Sequence, residues 1–283
     1  MIHSYLLIGQ SNMAGRGKTE SVPPIINESI HVLRNGRWQM MAEPIHNDRP
    51  SAGVGLASSF AAAWQADHPA GEGIGLIPCA DGGTSLDDWQ PGGVLFDHAV
   101  LQTKLAQRSS RLSGILWHQG ENDCAPELAA VYGRKFAPLI AELRKQLEAP
   151  DIPLFIGAIG DFLPNGIYGQ HFQSYSLVNE ALQEYARTHE HAYFVTAQDL
   201  TANEDQLHFN AESLRRFGLR YYEAFKTKAD VLSPLADEEA RLQSIYDRPL
   251  SKKEQAYRIE LLFSSGKISM EAFQKEMGKL ANP

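Results

Sequence analysis

An α/β fold built on a doubly wound, parallel sheet is predicted by two features of this sequence. Five short apolar runs alternate with five longer segments of helical period, and several runs end directly in turns rich in Gly, Ser, Asp and His. The runs are residues 5–8, 74–78, 114–117, 154–159 and 193–196, and each reads as a strand buried on both faces, because none alternates apolar with polar side chains. The helical segments are residues 55–67, 95–107, 128–147, 172–188 and 211–226, the last with Asn210 as its N-cap. A sheet order of 2-1-3-4-5, one of the common orders of a doubly wound sheet, is expected. Residues 16–50 are polar and rich in Asn, Pro and Arg, so they read as an irregular excursion with short strands near 30–33 and 38–40.

Beyond Pro234 the composition shifts to Glu, Lys, Gln and Leu, with helical segments at 236–246, 252–263 and 270–280 and a break at Gly266. Residues 1–234 therefore read as one domain and 235–283 as a helical C-terminal appendage. Ile259, Leu262, Phe263, Ile268 and Phe273 recur at helical spacing there, and isolated helices of this length are marginal in water. Their burial against the domain or across a homo-oligomer interface is expected.

The 283 residues are 43% hydrophobic and 21% charged, ordinary for a globular protein. A formal charge of −8 lacks the clustered cationic surface that nucleic-acid binding requires, so no nucleic-acid partner is expected. No apolar stretch reaches the ~18 residues of a membrane helix, and no membrane partner is expected. The N-terminus lacks a basic stretch followed by an apolar one, so a cytoplasmic location is expected. With only Cys79 and Cys124 there is no disulfide framework. His189 and His191 read as a solvated turn with no third ligand near in sequence, so no metal is expected.

Side chains that follow the carboxyl ends of parallel strands converge on one edge of the sheet. The first run delivers Gly9-Gln10-Ser11-Asn12-Met13, the second Cys79-Ala80-Asp81-Gly82-Gly83-Thr84-Ser85, the third His118-Gln119-Gly120-Glu121-Asn122-Asp123, and Asp205-Gln206-Leu207-His208-Phe209 follows the fifth. Acyl transfer needs a nucleophile, a base oriented by a carboxylate, and donors aimed at a developing oxyanion. Ser11, His208 and Asp205 supply the first three roles. The backbone N–H groups of Ser11 and Gly83 and the amide of Gln119 are the candidate oxyanion donors, with Gly82 an alternative to Gly83 and Glu204 an alternative to Asp205. Glu121 and Asp123 read as anchors of their loop, and His118 as structural.

These four motifs, in this order, resemble the sialate O-acetylesterase and acetylxylan esterase family, carbohydrate esterase family six, a branch of the SGNH hydrolases. The resemblance covers most of residues 1–226. It implies an SGNH-type, flavodoxin-like three-layer sandwich around a central parallel sheet, a Ser–His–Asp esterase, and no metal or organic cofactor. Gln119 stands where the wider SGNH pattern has Asn. The substrate implied is an acetylated carbohydrate, taken first as a xylo-oligosaccharide, with an O-acetylated sialic acid as the alternative; the latter requires an Arg or Lys aimed at the pocket to hold its carboxylate. Arg16, Trp89 and Trp117 are the candidate substrate contacts. A lipase of the ordinary α/β-hydrolase type is disfavoured by the absence of Gly-x-Ser-x-Gly. A catalytically silent carbohydrate-binding protein is the remaining class, which hydrolysis of a chromogenic acetate would separate.

Overall fold

Seven strands form one sheet in the computed structural model, which describes residues 1–68 and 71–281. In chain order the elements are β1 (Ile2–Gly9), α1 (Ser11–Ala14), β2 (Ile30–Arg34), β3 (Arg37–Met40), α2 (Ala57–Asp67), β4 (Gly73–Pro78), α3 (Val94–Gln107), β5 (Arg111–His118), α4 (Pro126–Ala129), α5 (Tyr132–Gln146), β6 (Leu154–Gly157), α6 (Tyr175–Thr188), β7 (Ala192–Val195), α7 (Ala211–Thr227), α8 (Glu238–Tyr246), α9 (Lys252–Ser264) and α10 (Met270–Ala281). The sheet order is β3-β2-β4-β1-β5-β6-β7. For the five strands read from the sequence this is the expected 2-1-3-4-5 order. The expectation of a wholly parallel sheet needs correction, because the 16–50 excursion adds β2 parallel to β4 and then β3 antiparallel to β2. The sheet is mixed, and its antiparallel member is an edge strand with alternating exposure, the position where a solvated face is tolerated.

Helices α2 and α7 cover one face and α3, α5 and α6 the other, giving an α/β sandwich. Burial follows the pleat of the strands. Tyr5 packs edge-on against Phe60 of α2 and Phe225 of α7, whereas Trp117 packs on Phe136 of α5 and its neighbour His118 faces Phe217 of α7. Asn210 caps α7, its Oδ1 accepting from the Ser213 N–H at 2.8 Å. The segment expected as one helix over 128–147 splits at Ala130 and Val131 into α4 and α5.

The C-terminal helices are attached unequally. Leu242 of α8 is buried, and Glu238 makes a buried 2.6 Å ion pair with Arg220 of α7. Helix α9 begins with a reciprocal cap between Ser251 and Glu254, and Glu254 Oε1 also accepts from the Glu28 N–H at 2.9 Å. Helix α10 has no buried residue; it turns back at Gly266 and packs on α9, with the Phe263 and Phe273 rings 4.8 Å apart. Among the described residues no helix is long and apolar enough to cross a membrane.

Parallel register places the site. Gly9 is level with His118, and Leu7 with Pro78, so the turns after β1, β4 and β5 leave the sheet side by side. Gly9 has φ +133°, and a Cβ there would collide with the His118 carbonyl, so only glycine lets β1 bend into α1 at this point.

Candidate active site

Ser11 occupies the first position of α1, immediately beyond β1, and is 7% exposed. Its N–H belongs to the first helical turn, which has no intrahelical acceptor to give it. His208 Nε2 lies 3.0 Å from Ser11 Oγ, and His208 Nδ1 lies 2.7 Å from Asp205 Oδ2. The three side chains form one hydrogen-bonded line. The loop that makes this possible is an Asx turn: Asp205 Oδ1 accepts from the Leu207 and His208 N–H groups, both at 3.0 Å, so one carboxylate oxygen fixes the backbone while the other meets the ring. Desolvation works against the Asp205 carboxylate, but the His208 ring and these two N–H donors outweigh it and hold its pKa below the usual range. Glu204 points elsewhere, to a loose exposed contact with Lys18.

The two halves of this line are joined by a residue to which the sequence reading gave no role. Asn12 Oδ1 accepts from the Phe209 N–H at 3.0 Å, and its Nδ2 donates to Glu121 Oε1 at 2.5 Å and to the Leu207 carbonyl at 3.3 Å. Asn12 thus locks the His208 loop to the helix that carries Ser11. Its adjacency to Ser11 was visible in the sequence, but its partners lie more than 100 residues away.

The loop after β4 covers Ser11. A Cβ placed on Gly82 would lie 3.5 Å from Ser11 Cβ and 2.9 Å from Asp48 Oδ2, so the close approach requires glycine. The Gly82 N–H is used by Asp48 Oδ2 at 2.9 Å. That of Gly83, at φ +78°, has no acceptor among the described residues, and the Gly83 carbonyl is pinned by Asn122 Nδ2 at 3.1 Å. Between the two glycines, Gly83 is the one with a donor to offer.

Three expected contacts are corrected by burial. Gln119 is wholly buried: its Nε2 faces Asp123 Oδ2 at 2.6 Å, the Thr84 carbonyl at 3.1 Å and Gln10 Oε1 at 3.2 Å, while its Oε1 accepts from the Tyr132 hydroxyl at 2.9 Å. Two N–H hydrogens shared among three acceptors leave none for an oxyanion, so Gln119 ties the loops after β1, β4 and β5 together. Trp89 and Trp117 are 1% and 0% exposed and pack against each other edge-on, with Trp89 Nε1 donating to Thr84 Oγ1 at 3.0 Å. Neither ring has a face free for a sugar. They support the loop from below, the commoner use of tryptophan.

Arg16 likewise faces inward. Its guanidinium grips Asp48 through both nitrogens, at 2.5 and 3.3 Å, with side chains 6% and 3% exposed, and donates to the Gly15 carbonyl. Arg16 and Asp48 form a buried strut under Gly82, not a substrate contact. Asp123 accepts from the Leu86 N–H at 2.8 Å and anchors its loop, and His118 is buried with Nε2 on the Ala158 carbonyl. Cys79 and Cys124 are free and buried, and burial raises both thiol pKa values, Cys124 with help from Glu121 and Asp123. No cluster of three metal-ligating side chains occurs among the described residues.

Asp48 also makes a pH prediction. Desolvation opposes its charge, yet Arg16 and the Gly82 N–H hold its pKa below the unfolded value. A depressed carboxylate contributes its stability above the unfolded pKa, about 3.9, and loses it as pH falls through the lower folded value. The melting-temperature gap between the wild type and Asp48→Asn should therefore be full at neutral pH, where stranding Arg16 costs roughly 3–5 kcal/mol, and should close as pH falls below about 4. A gap that stays constant in scanning calorimetry down to acid pH would remove Asp48 from this role.

A model of the carbohydrate esterase, sialic acid-specific acetylesterase family matches residues 1–227. A probable carbohydrate esterase of Arabidopsis thaliana is 30% identical over 245 residues, covering 78% of this chain and 89% of that protein. The chain belongs to the carbohydrate esterase, sialic acid-specific acetylesterase family. It is a carbohydrate acetylesterase. Among solved structures, one of an Arabidopsis thaliana protein superposes with a TM-score of 0.71 at 30% identity, covering 80% of this chain and 98% of that one. NanS, at 17% identity, gives 0.66 over 80% and 97% of the two chains, and a carbohydrate acetylesterase of Xanthomonas citri, at 18%, gives 0.58 over 79% and 55%. The last two show a shared fold. The family match ends at residue 227, where α7 ends, so helices α8 to α10 of this acetylesterase lie beyond it.

Proposed function

We propose that this acetylesterase removes O-acetyl groups from a sialic-acid-type sugar through an acetyl-enzyme on Ser11. The observation that carries the mechanism is the continuous line from Ser11 Oγ through His208 to Asp205. His208 Nε2 takes the hydroxyl proton as Ser11 attacks the ester carbonyl, and Asp205 holds the ring and stabilises the imidazolium. The oxyanion forms against the N–H groups of Ser11 and Gly83. His208 returns its proton to the departing sugar oxygen, and water then repeats the sequence on the acetyl-enzyme. No step needs a metal or organic cofactor. The strand order and the placement of the four motifs support an SGNH-type arrangement.

The family description favours a sialic acid over the xylo-oligosaccharide expected first. Arg49 supports that choice. Its side chain is half exposed and lies along the loop that covers Ser11, with Nη2 on Asp81 Oδ1 at 3.0 Å and on the Gly82 carbonyl at 2.8 Å, so a cation stands at the rim of the site. Nη1 also donates to the Asp48 carbonyl at 2.7 Å, so beside its pairing with Asp81 the guanidinium keeps Nε–H and one Nη1 hydrogen to donate to a sugar carboxylate. Mono-O-acetylated sialic acid should be hydrolysed with a higher kcat/KM than acetylated xylo-oligosaccharides. Arg49→Ala should raise KM on the sialic substrate by about 10- to 100-fold, as expected for loss of a charged hydrogen bond, with a smaller change in kcat. Faster turnover of the neutral xylo-oligosaccharide, in a side-by-side assay of released acetate, would reverse the assignment.

A further inference from the structure

We propose that the cleft beside the Asp81–Gly82 loop binds a neutral sugar residue joined to the acetylated one, making the enzyme selective for an O-acetylated oligosaccharide over the free monosaccharide. This rests on the reading of the substrate as a carbohydrate held at Ser11. The cleft has a volume of about 410 Å³ and runs between the ends of β2 and β4, the 45–48 loop and α3. That size is in the range of small-molecule sites. It begins one residue from the catalytic loop: Asp81 lines the cleft, and Gly82 packs on Ser11.

The chemistry of the lining selects the ligand. Asn35, Asn47, His98 and Gln102 converge on the cleft, and none of their side chains makes a hydrogen bond within the protein among the described residues. Amides and imidazole each present donors together with acceptors, the complement of adjacent hydroxyls, which also donate and accept. Leu95, half-buried, provides apolar wall against which the C–H face of a pyranose ring can lie, and the buried Leu33 and Ile45 back it. The carboxylates at the rim are already matched, Asp48 by Arg16 and Asp81 by Arg49. Arg34 is directed to the Ala42 and Pro44 carbonyls. Three of the four groups left free, Asn35, Asn47 and Gln102, are amides, which carry no charge and suit a neutral sugar rather than a second anion.

The test compares the wild type with the double variant Asn47→Ala/Gln102→Ala on three substrates: a mono-O-acetylated sialyllactose, free mono-O-acetylated sialic acid and p-nitrophenyl acetate. Both positions are outside the Ser11–His208–Asp205 line and accessible to solvent. The double variant should lose about 10-fold in kcat/KM on the trisaccharide, through KM, as two neutral hydrogen bonds would give, and should match the wild type on the other two. Equal losses on all three would mean a structural role and overturn the proposal, as would an unchanged trisaccharide. Saturation-transfer NMR with unacetylated sialyllactose reads the cleft without catalysis. The lactose protons should receive saturation from the wild type and lose it in the double variant, and lactose protons silent with the wild type would overturn the cleft assignment. A wild type that hydrolyses neither acetylated sugar yet saturates the lactose protons would defeat the substrate reading while supporting the cleft.

Discussion

Replacing Ser11 with alanine should lower kcat for acetate ester hydrolysis by about 10⁵–10⁶-fold, to the residual rate supported by binding and the oxyanion donors alone. The expectation rests on the 3.0 Å contact between Ser11 Oγ and His208 Nε2, and on the absence of another hydroxyl in that line. Because Ser11 is a small buried side chain and alanine leaves the α1 backbone intact, thermal stability should hardly change. Turnover measured with p-nitrophenyl acetate and with an acetylated sugar should fall together. A variant that keeps about a tenth or more of wild-type turnover would remove Ser11 from the chemistry.

The second large effect is expected at Asp205. Asp205→Asn should lower kcat by about 10⁴-fold if the carboxylate holds the histidine tautomer, since an amide can present N–H to Nδ1 and reverse the proton arrangement. Asp205 has a second duty here, because its Oδ1 accepts from the Leu207 and His208 N–H groups. Asparagine retains an acceptor for these bonds, whereas alanine removes it. Asp205→Ala should therefore disorder the loop as well as slow the reaction, seen as faster amide hydrogen exchange at residues 206–209 relative to Asp205→Asn. Equal exchange in the two variants, with equal loss of turnover, would show that the Asx turn contributes nothing to placing His208.

Much of the fold is written locally in this sequence. The runs behind β1, β4, β5, β6 and β7 are apolar on both faces, and only parallel strands between two helical layers ask for that. Strands β2 and β3 are short, and β3 is half solvated, so the sequence placed them near their true positions without revealing that they extend the sheet. Ser11, His208 and Asp205 were legible because strand ends deliver side chains to one edge, and because an aspartate three residues before a histidine can turn back onto it. What was not legible depended on direction and on partners remote in sequence. Trp89, Trp117 and Gln119 look alike as surface or core residues until the strand β5 and the turns that carry them are packed together, and all three are buried. Arg16 pairs with Asp48 across a 32-residue excursion that has no regular period to align them.

The central claim is a covalent acetyl-enzyme on Ser11, and rapid acid quench during turnover of a saturating acetyl ester, followed by peptide mass spectrometry, tests it most directly. The account predicts an acetyl group on the peptide containing Ser11 in the wild type and none in Ser11→Ala. Acetyl found on another residue, or rapid wild-type turnover with no acetylated peptide at the earliest quench times even when deacylation is slowed by low temperature, would contradict it.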